Sequence, residues 1–160
     1  MKALLCKQFG PPESLVIEDL PSPRPGAGEV VVSIKAASVN FPDVLIIQNK
    51  YQFKPPLPFS PGSELAGVVK EVGAGVTNVK AGDKVIAFTA YGAFAEEVKT
   101  EAARLLPLPE GMSYEAGASF ILTYGTTDHA LKDRAKLQPG ETLLVLGAAG
   151  GVGLAAVEVG

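Results

Sequence analysis

The residues best suited to chemistry in this chain are glycines. Gly147-Ala148-Ala149-Gly150-Gly151-Val152-Gly153 follows the apolar run Thr142-Leu143-Leu144-Val145-Leu146 and precedes a helical pattern over Leu154–Val159. Strand, glycine turn and helix in that order can cradle a nucleotide diphosphate. Gly147 lets the chain reverse tightly, Gly150 and Gly151 let a pyrophosphate approach backbone N–H groups, and Gly153 lets helix pack on strand. Ala149 and Val152 complete the turn, and the helix N-terminus behind them carries about half a positive charge. The spacing is GxxGxxG rather than the commoner GxGxxG, and the same glycines equally serve a tight βα turn that holds no ligand.

Other chemistries are poorly supplied. Cys6 is the single cysteine and His129 the single histidine, so the chain has neither an internal disulfide nor the Cys/His cluster that zinc requires. The absence of a nucleophile–base pair suits hydride transfer, in which a cofactor carries the hard step and protein supplies orientation. Read singly, the polar residues have plain roles. Asn40 caps a helix that opens at Pro42, Asp43 is a solvated acid in its first turn, Tyr51 packs in a loop and Thr126 caps a later helix. Glu64 reads as a strand-end salt-bridge partner, His129 as a surface residue beside Lys132, and Cys6 as a packed rather than reactive thiol.

The formal charge of −3, from 14 Lys+Arg against 17 Asp+Glu, is too small to suit nucleic acid or anionic lipid as a partner. Hydrophobic content of 47% with 19% charged residues suffices for a globular core. The 18 Gly and 13 Pro sum to 31 of 160 residues, against roughly 12% in average usage, so turns are frequent and long helical bundles are disfavoured. No window reaches the ~18 apolar residues of a membrane span. Lys7-Gln8 interrupts the N-terminal apolar run before it could serve as an export signal, so a reduced, cytoplasmic setting is expected.

The elements that must hold these residues are mostly short strands. Apolar runs over 1–7 and 14–20 flank Gly10-Pro11-Pro12, and Pro21, Pro23 and Pro25 form a stiff crossover after them. Residues 29–40 form the longest strand candidate, with Val30, Val32 and Ile34 on a buried face and Val31, Ser33 and Lys35 opposite. Pro42 opens a short helix. Residues 51–62, with Pro55, Pro56, Pro58 and Pro61, make a loop of the kind that lines clefts. Strands follow over 65–72, 84–88 and 93–98, a spacing that suits a small barrel or sandwich. Ser113 caps a helix, Gly125-Thr126-Thr127 interrupts it, and 128–137 continues it until Pro139-Gly140. Residues 142–146 then read as a strand buried on both faces of a parallel sheet.

In combination the segments "AASVNFPDVL", "YQFKPPLPFSPGSELAGVVKEVG", "KAGDKV", "YGAFAEEV", "LPEGMS" and "GAAGGVGLAAVEVG" resemble the quinone oxidoreductase branch of the medium-chain dehydrogenase/reductase superfamily. The resemblance runs from Met1 to Gly160. It implies a mixed α and β fold, with a GroES-like β-barrel carrying the substrate over 1–122. Residues 123–160 would then hold a bridging helix and the first βα unit of a Rossmann domain that binds NADPH. Zinc alcohol dehydrogenases of the superfamily carry a Cys in the segment matching Ser38–Asp43, Gly-His-Glu in place of Gly62-Ser63-Glu64, and a four-Cys lobe. Lacking those ligands, this chain is expected to be zinc-independent, since alcohol oxidation loses its Lewis acid.

The resemblance places Asn40 beside the nicotinamide or the acceptor carbonyl, Tyr51 against the acceptor, and Thr126 beside the nicotinamide. Where the family has further aromatic residues this chain has Leu45 and Asp128. The implied reaction is hydride delivery from NADPH to a quinone or an α,β-unsaturated carbonyl, by a homodimeric enzyme. An enoyl-thioester reductase and a non-catalytic GroES-like interaction module are the alternatives. A strand over 142–146 without neighbours would leave apolar faces and edges bare, so a longer parent enzyme, or a partner that completes the sheet, is expected and the 160-residue chain alone is expected to be inactive. The residue that separates NADPH from NADH falls ~20 positions past the turn, which leaves NADH open.

Overall fold

The computed structural model describes all residues, Met1–Gly160. The chain divides into two compact units, Met1–Ala118 and Ser119–Gly160.

In the first unit, β1 (Lys2–Leu5) and β2 (Val16–Asp19) form an antiparallel ribbon, split by the turn at Gly10-Pro11-Pro12. A five-stranded antiparallel sheet follows, built from β3 (Glu29–Ser38), β4 (Glu64–Val72), β5 (Lys84–Phe88), β6 (Glu97–Glu101) and β7 (Leu105–Pro107). Its order is β6-β3-β4-β5-β7, so the ladder is open, and single bridges from Ala3 to Ala95 and Cys6 to Phe59 tie the ribbon to the rest. The core gathers Val30, Val32, Leu65, Val69, Val85, Ala87 and Leu105. Each of the valine and leucine side chains removed from water contributes roughly 1.5–3 kcal/mol.

The long third strand forms as its pattern predicts, but Val31 is as fully buried as Val30 and Val32. Its second face is therefore not wet at this end, and further along the sheet α2 (Tyr114–Ala118) packs against β3, β4 and β5, with a β-carbon at Gly117 set to meet Ile86 and Ala66. The strand expected over 93–98 lies later, at β6. Ala93 and Phe94 give their N–H groups to Gly62 and Pro61 carbonyls instead of a strand neighbour. The short β7 is a strand not expected from the sequence; its Pro107 lies at the sheet edge, opposite Val85, where a missing N–H is tolerated.

In the second unit, α3 (Ile121–Asp128) runs straight through Gly125-Thr126-Thr127, where an interruption was expected. A helical glycine costs only about 1 kcal/mol relative to alanine, which the flanking turns offset. The chain continues into a π-helical segment, His129–Ala135, and stops at Lys136, which has φ 55°. Residues 142–146 join no ladder, contrary to the strand expected there, because the described residues offer no partner strand. Leu144 and Leu146 are 80% and 85% exposed while Leu143 and Val145 are half-buried, the alternation of an extended segment with one covered face. The final helix, α4 (Gly151–Val159), begins inside the glycine turn, earlier than its apolar pattern indicates.

Candidate functional site

Polar side chains gather in the first unit where β3 ends, α1 (Phe41–Ile47) begins and β4 starts. Asn40 is extended, at φ −119° and ψ 157°, and stands as N-cap of α1. Pro42 at the first turn favours the helix because its missing N–H would find no partner there. The Asp43 carboxylate accepts the Asn40 backbone N–H at 2.8 Å, and Ser63 Oγ donates to it at 3.5 Å. The Asn40 side-chain amide donates to Ser38 Oγ at 2.8 Å, and Ser38 Oγ donates to Glu64 at 2.8 Å. Thr89 completes the group, giving its N–H to the Ser63 carbonyl at 2.7 Å.

Two expectations are corrected here. Asp43 is not a solvated first-turn acid but is buried, at 3% exposure. Glu64 does stand at a strand end, as the first residue of β4, but the position is wholly buried rather than open to water, and it takes hydrogen bonds from Ser38 and Asn40. The strand register explains the second, since Glu64 stands opposite Ser38 in β3 and Phe88 in β5. A carboxylate in that central position cannot reach water. Asp43 follows because its contacts with Asn40 and Ser63 draw it in against the same strand end.

Burial raises the Asp43 pKa, hydrogen bonds from Asn40 and Ser63 oppose it, and the nearby Glu64 carboxylate adds to the rise. A carboxyl whose folded pKa lies above its unfolded value binds more protons in the folded state, so its contribution to stability is present at low pH and lost as pH rises through the folded pKa. Asp43→Asn keeps an oxygen for the Asn40 N–H and removes the desolvated charge. It is expected to be more stable than the parent at pH 7, with the advantage shrinking as pH falls toward the Asp range. Denaturant titrations at both pH values check this; an advantage that grows on acidification would contradict it.

Tyr51 is half-buried and packs with Leu15 against Cys6, Ile46, Ile47 and Phe59. Cys6 is fully buried, and burial pushes its thiol pKa up. His129 is exposed and pairs with Asp133 at 2.8 Å. No three His, Cys, Asp or Glu side chains converge as a metal would require.

In the second unit the glycine turn has the geometry its spacing suggests. Gly147 has φ +72°, a conformation that favours glycine. A β-carbon at Gly153 would lie 2.2 Å from the Gly147 carbonyl oxygen, so α4 seats directly on the turn. At Gly150 the space is open, with only that oxygen 3.6 Å away. The first N–H groups of α4 have no partner within the helix. Beside the turn is a cavity of about 520 Å³ lined by Leu131, Leu143, Val145 and Gly150–Gly153. Thr126 lies on the exposed side of α3, whereas its neighbour Thr127 is buried and donates to the Val152 carbonyl at 3.2 Å. Sequence reading missed Thr127; an unbroken helical period through Gly125 would have turned it inward. Tyr124 donates to Glu158, which joins α3 to α4 a second time and raises the tyrosine pKa.

An open antiparallel sheet with a buried polar cluster at the β3–α1–β4 junction, ahead of a glycine-lined helix start, defines a class. Residues 26–110 match the alcohol dehydrogenase GroES-like domain, and the chain belongs to that family. Among curated relatives it is 43% identical to quinone oxidoreductase-like protein 2 of Mus musculus, over 99% of this chain and 45% of the relative. The crystal structure of human synaptic vesicle membrane protein VAT-1 homolog-like protein superposes with a TM-score of 0.96 at 33% identity, covering 99% of this chain and 52% of that one. The quinone oxidoreductase of Thermus thermophilus, whose structures include a complex with NADPH, superposes with a TM-score of 0.87 at 39% identity, over 99% and 49% of the two chains. The chain spans about half the length of the curated relatives it matches.

Proposed function

We propose that this chain supplies the acceptor-binding domain, residues 1–122, and the start of the NADP-binding domain, residues 123–160, of a zinc-independent reductase that acts on quinones or α,β-unsaturated carbonyls. The observation that carries the reading is the turn Gly147–Gly153, tight where α4 seats and open where a phosphate would approach. The residues fit an NADPH pyrophosphate: Gly150, Gly151 and Val152 would present N–H groups, and Gly147, Ala149 and Gly153 would shape the turn. NADPH when bound supplies the hydride.

The protein's own work is orientation. Asn40 is fixed at its main chain by Asp43 and at its side chain by Ser38, so its carboxamide is preorganised before any ligand arrives. Tyr51 would present a ring and a hydroxyl to the acceptor, and Thr126 a hydroxyl to the nicotinamide. A quinone or enone delocalises the negative charge that accompanies hydride arrival, so the chemistry needs no metal beside Asn40. The same resemblance implies a cytoplasmic homodimer; no helix is long and apolar enough to cross a membrane.

Titration of the complete protein with NADPH, followed by fluorescence and then by quinone-dependent NADPH consumption, tests the reading. Saturable enhancement with turnover supports it. Turnover of an enoyl thioester in preference to quinones would reassign the acceptor class. Silence in both assays would leave an interaction module.

A further inference from the structure

The hydrogen bonds around Asn40 run in one sense. Its Nδ2 donates to Ser38 Oγ at 2.8 Å and reaches Glu64 Oε2 at 3.4 Å, and Ser38 Oγ donates to the same Oε2 at 2.8 Å. A carboxylate oxygen accepts and has no proton to give. The serine hydroxyl must therefore spend its single proton on Glu64, and its oxygen is left to receive the amide. This polarity decides an otherwise ambiguous side chain, because the two ends of a carboxamide are nearly isosteric and only their partners tell them apart.

Strand register makes the arrangement permanent. Ser38 and Glu64 are direct neighbours across β3 and β4, and Glu64 is fully buried between Ser38 and Phe88. With its N–H groups directed inward, the Asn40 carboxamide turns its oxygen toward the helix start, where the α1 capping box sets it to the Asp43 backbone N–H, and a ligand meets only the second lone pair of that oxygen.

We propose that Glu64 is a positioning residue: acting through Ser38, it sets which end of the Asn40 carboxamide faces outward, and so restricts Asn40 to accepting a hydrogen bond from a hydroxyl or amide N–H of the bound ligand. This narrows the expectation that Asn40 meets an acceptor carbonyl, since a carbonyl cannot donate. The ligand role rests on the oxidoreductase reading; the orientation itself does not.

Glu64→Gln keeps the side-chain volume and lets the chain of donors reverse. The glutamine amide then donates to Ser38, the serine donates to the Asn40 oxygen, and the Asn40 N–H groups turn outward. In the ¹⁵N-labelled chain, the Asn40 side-chain amide signals, assigned with Asn40→Asp, report solvent exchange. Exchange is expected to be about tenfold slower than at exposed Asn49, and to speed up about tenfold in Glu64→Gln, as loss of buried hydrogen bonds requires. Ser38→Ala breaks the same relay and gives the same loss, while Ser38→Thr retains the hydroxyl and restores protection; this pair decides the matter if Glu64→Gln fails to fold. Exchange unchanged within about twofold in Ser38→Ala overturns the orientation, because a lost buried partner cannot leave protection intact; unchanged exchange in folded Glu64→Gln, whose amide oxygen can still accept from Ser38, overturns the role of Glu64 in setting it.

The ligand half is read separately with NADPH and with its 3-acetylpyridine analogue, which lacks the carboxamide N–H2. Glu64→Gln is expected to weaken NADPH binding about tenfold, the effect of one mispaired hydrogen bond. A loss confined to NADPH places the donor on the carboxamide, and an equal loss for both places it on a hydroxyl. Equal NADPH affinity in parent and variant overturns the ligand role. A parent that binds neither nucleotide overturns the oxidoreductase reading, while the exchange experiment still decides the orientation.

Discussion

Gly150→Val is expected to weaken NADPH binding by the complete protein roughly ten- to hundredfold while leaving the fold nearly intact, and Gly153→Ala to damage both, as the worth of charge-assisted hydrogen bonds implies. The two glycines lie three residues apart in one turn, yet their surroundings are opposite. At Gly150 the backbone is extended, with φ −81° and ψ 164°, and an added β-carbon meets only the Gly147 oxygen at 3.6 Å, an ordinary contact. Valine adopts that conformation readily, and its cost as an N-cap is about 1 kcal/mol or less. What it fills is the open side of the turn, where a pyrophosphate would take N–H bonds worth about 1.5–3 kcal/mol when charge-assisted. At Gly153 the added carbon meets the Gly147 oxygen at 2.2 Å and the Ala148 Cα at 2.9 Å, both backbone atoms that cannot swing aside. α4 must lift, at a cost of about 1–3 kcal/mol. Thermal melting and fluorescence titration of both variants separate the effects. NADPH affinity unchanged in Gly150→Val would remove the phosphate from this turn.

How much of this was legible follows from which forces are local. The Gly147–Gly153 turn could be read directly, because the need for a positive φ and for close backbone approach is written in residue type. The Asn40–Pro42–Asp43 helix start was equally visible, since Asn, Pro and Asp each satisfy a local backbone requirement. The burial of Asp43 and Glu64 was not. It depends on Glu64 pairing with Ser38 and Phe88 across two ladders, a register that no window of sequence contains. The inward turn of Thr127 was hidden for a related reason: Gly125 was weighed as a breaker by its own propensity, whereas the contacts of α3 with α4 override it. The extended segment 142–146 shows the reverse, a strong strand pattern left without a ladder where no neighbour is available.

Gly62→Ala is expected to lower the stability of the first unit by about 2–6 kcal/mol through two separable causes. Gly62 has φ +87°, which an alanine tolerates only with strain of about 1–3 kcal/mol. Its β-carbon would also fall 2.5 Å from Phe94 Cδ1. The ring has little freedom to yield, because the Phe94 N–H is bonded to the Pro61 carbonyl at 2.9 Å, the Ala93 N–H to the Gly62 carbonyl at 3.0 Å, and the Phe94 carbonyl to the Leu4 N–H at 2.8 Å. Overpacking of that kind adds about 1–3 kcal/mol. The damage would reach the polar cluster, since Gly62 leads directly into Ser63 and Glu64 and its backbone N–H helps hold the Asp43 carboxylate. Asn40 exchange protection should therefore fall together with the melting temperature. Adding Phe94→Leu to Gly62→Ala relieves the contact but not the dihedral, so it should recover part of the loss and no more. Complete recovery would mean that the positive φ carries no strain, and no recovery would mean that the ring never obstructed the methyl.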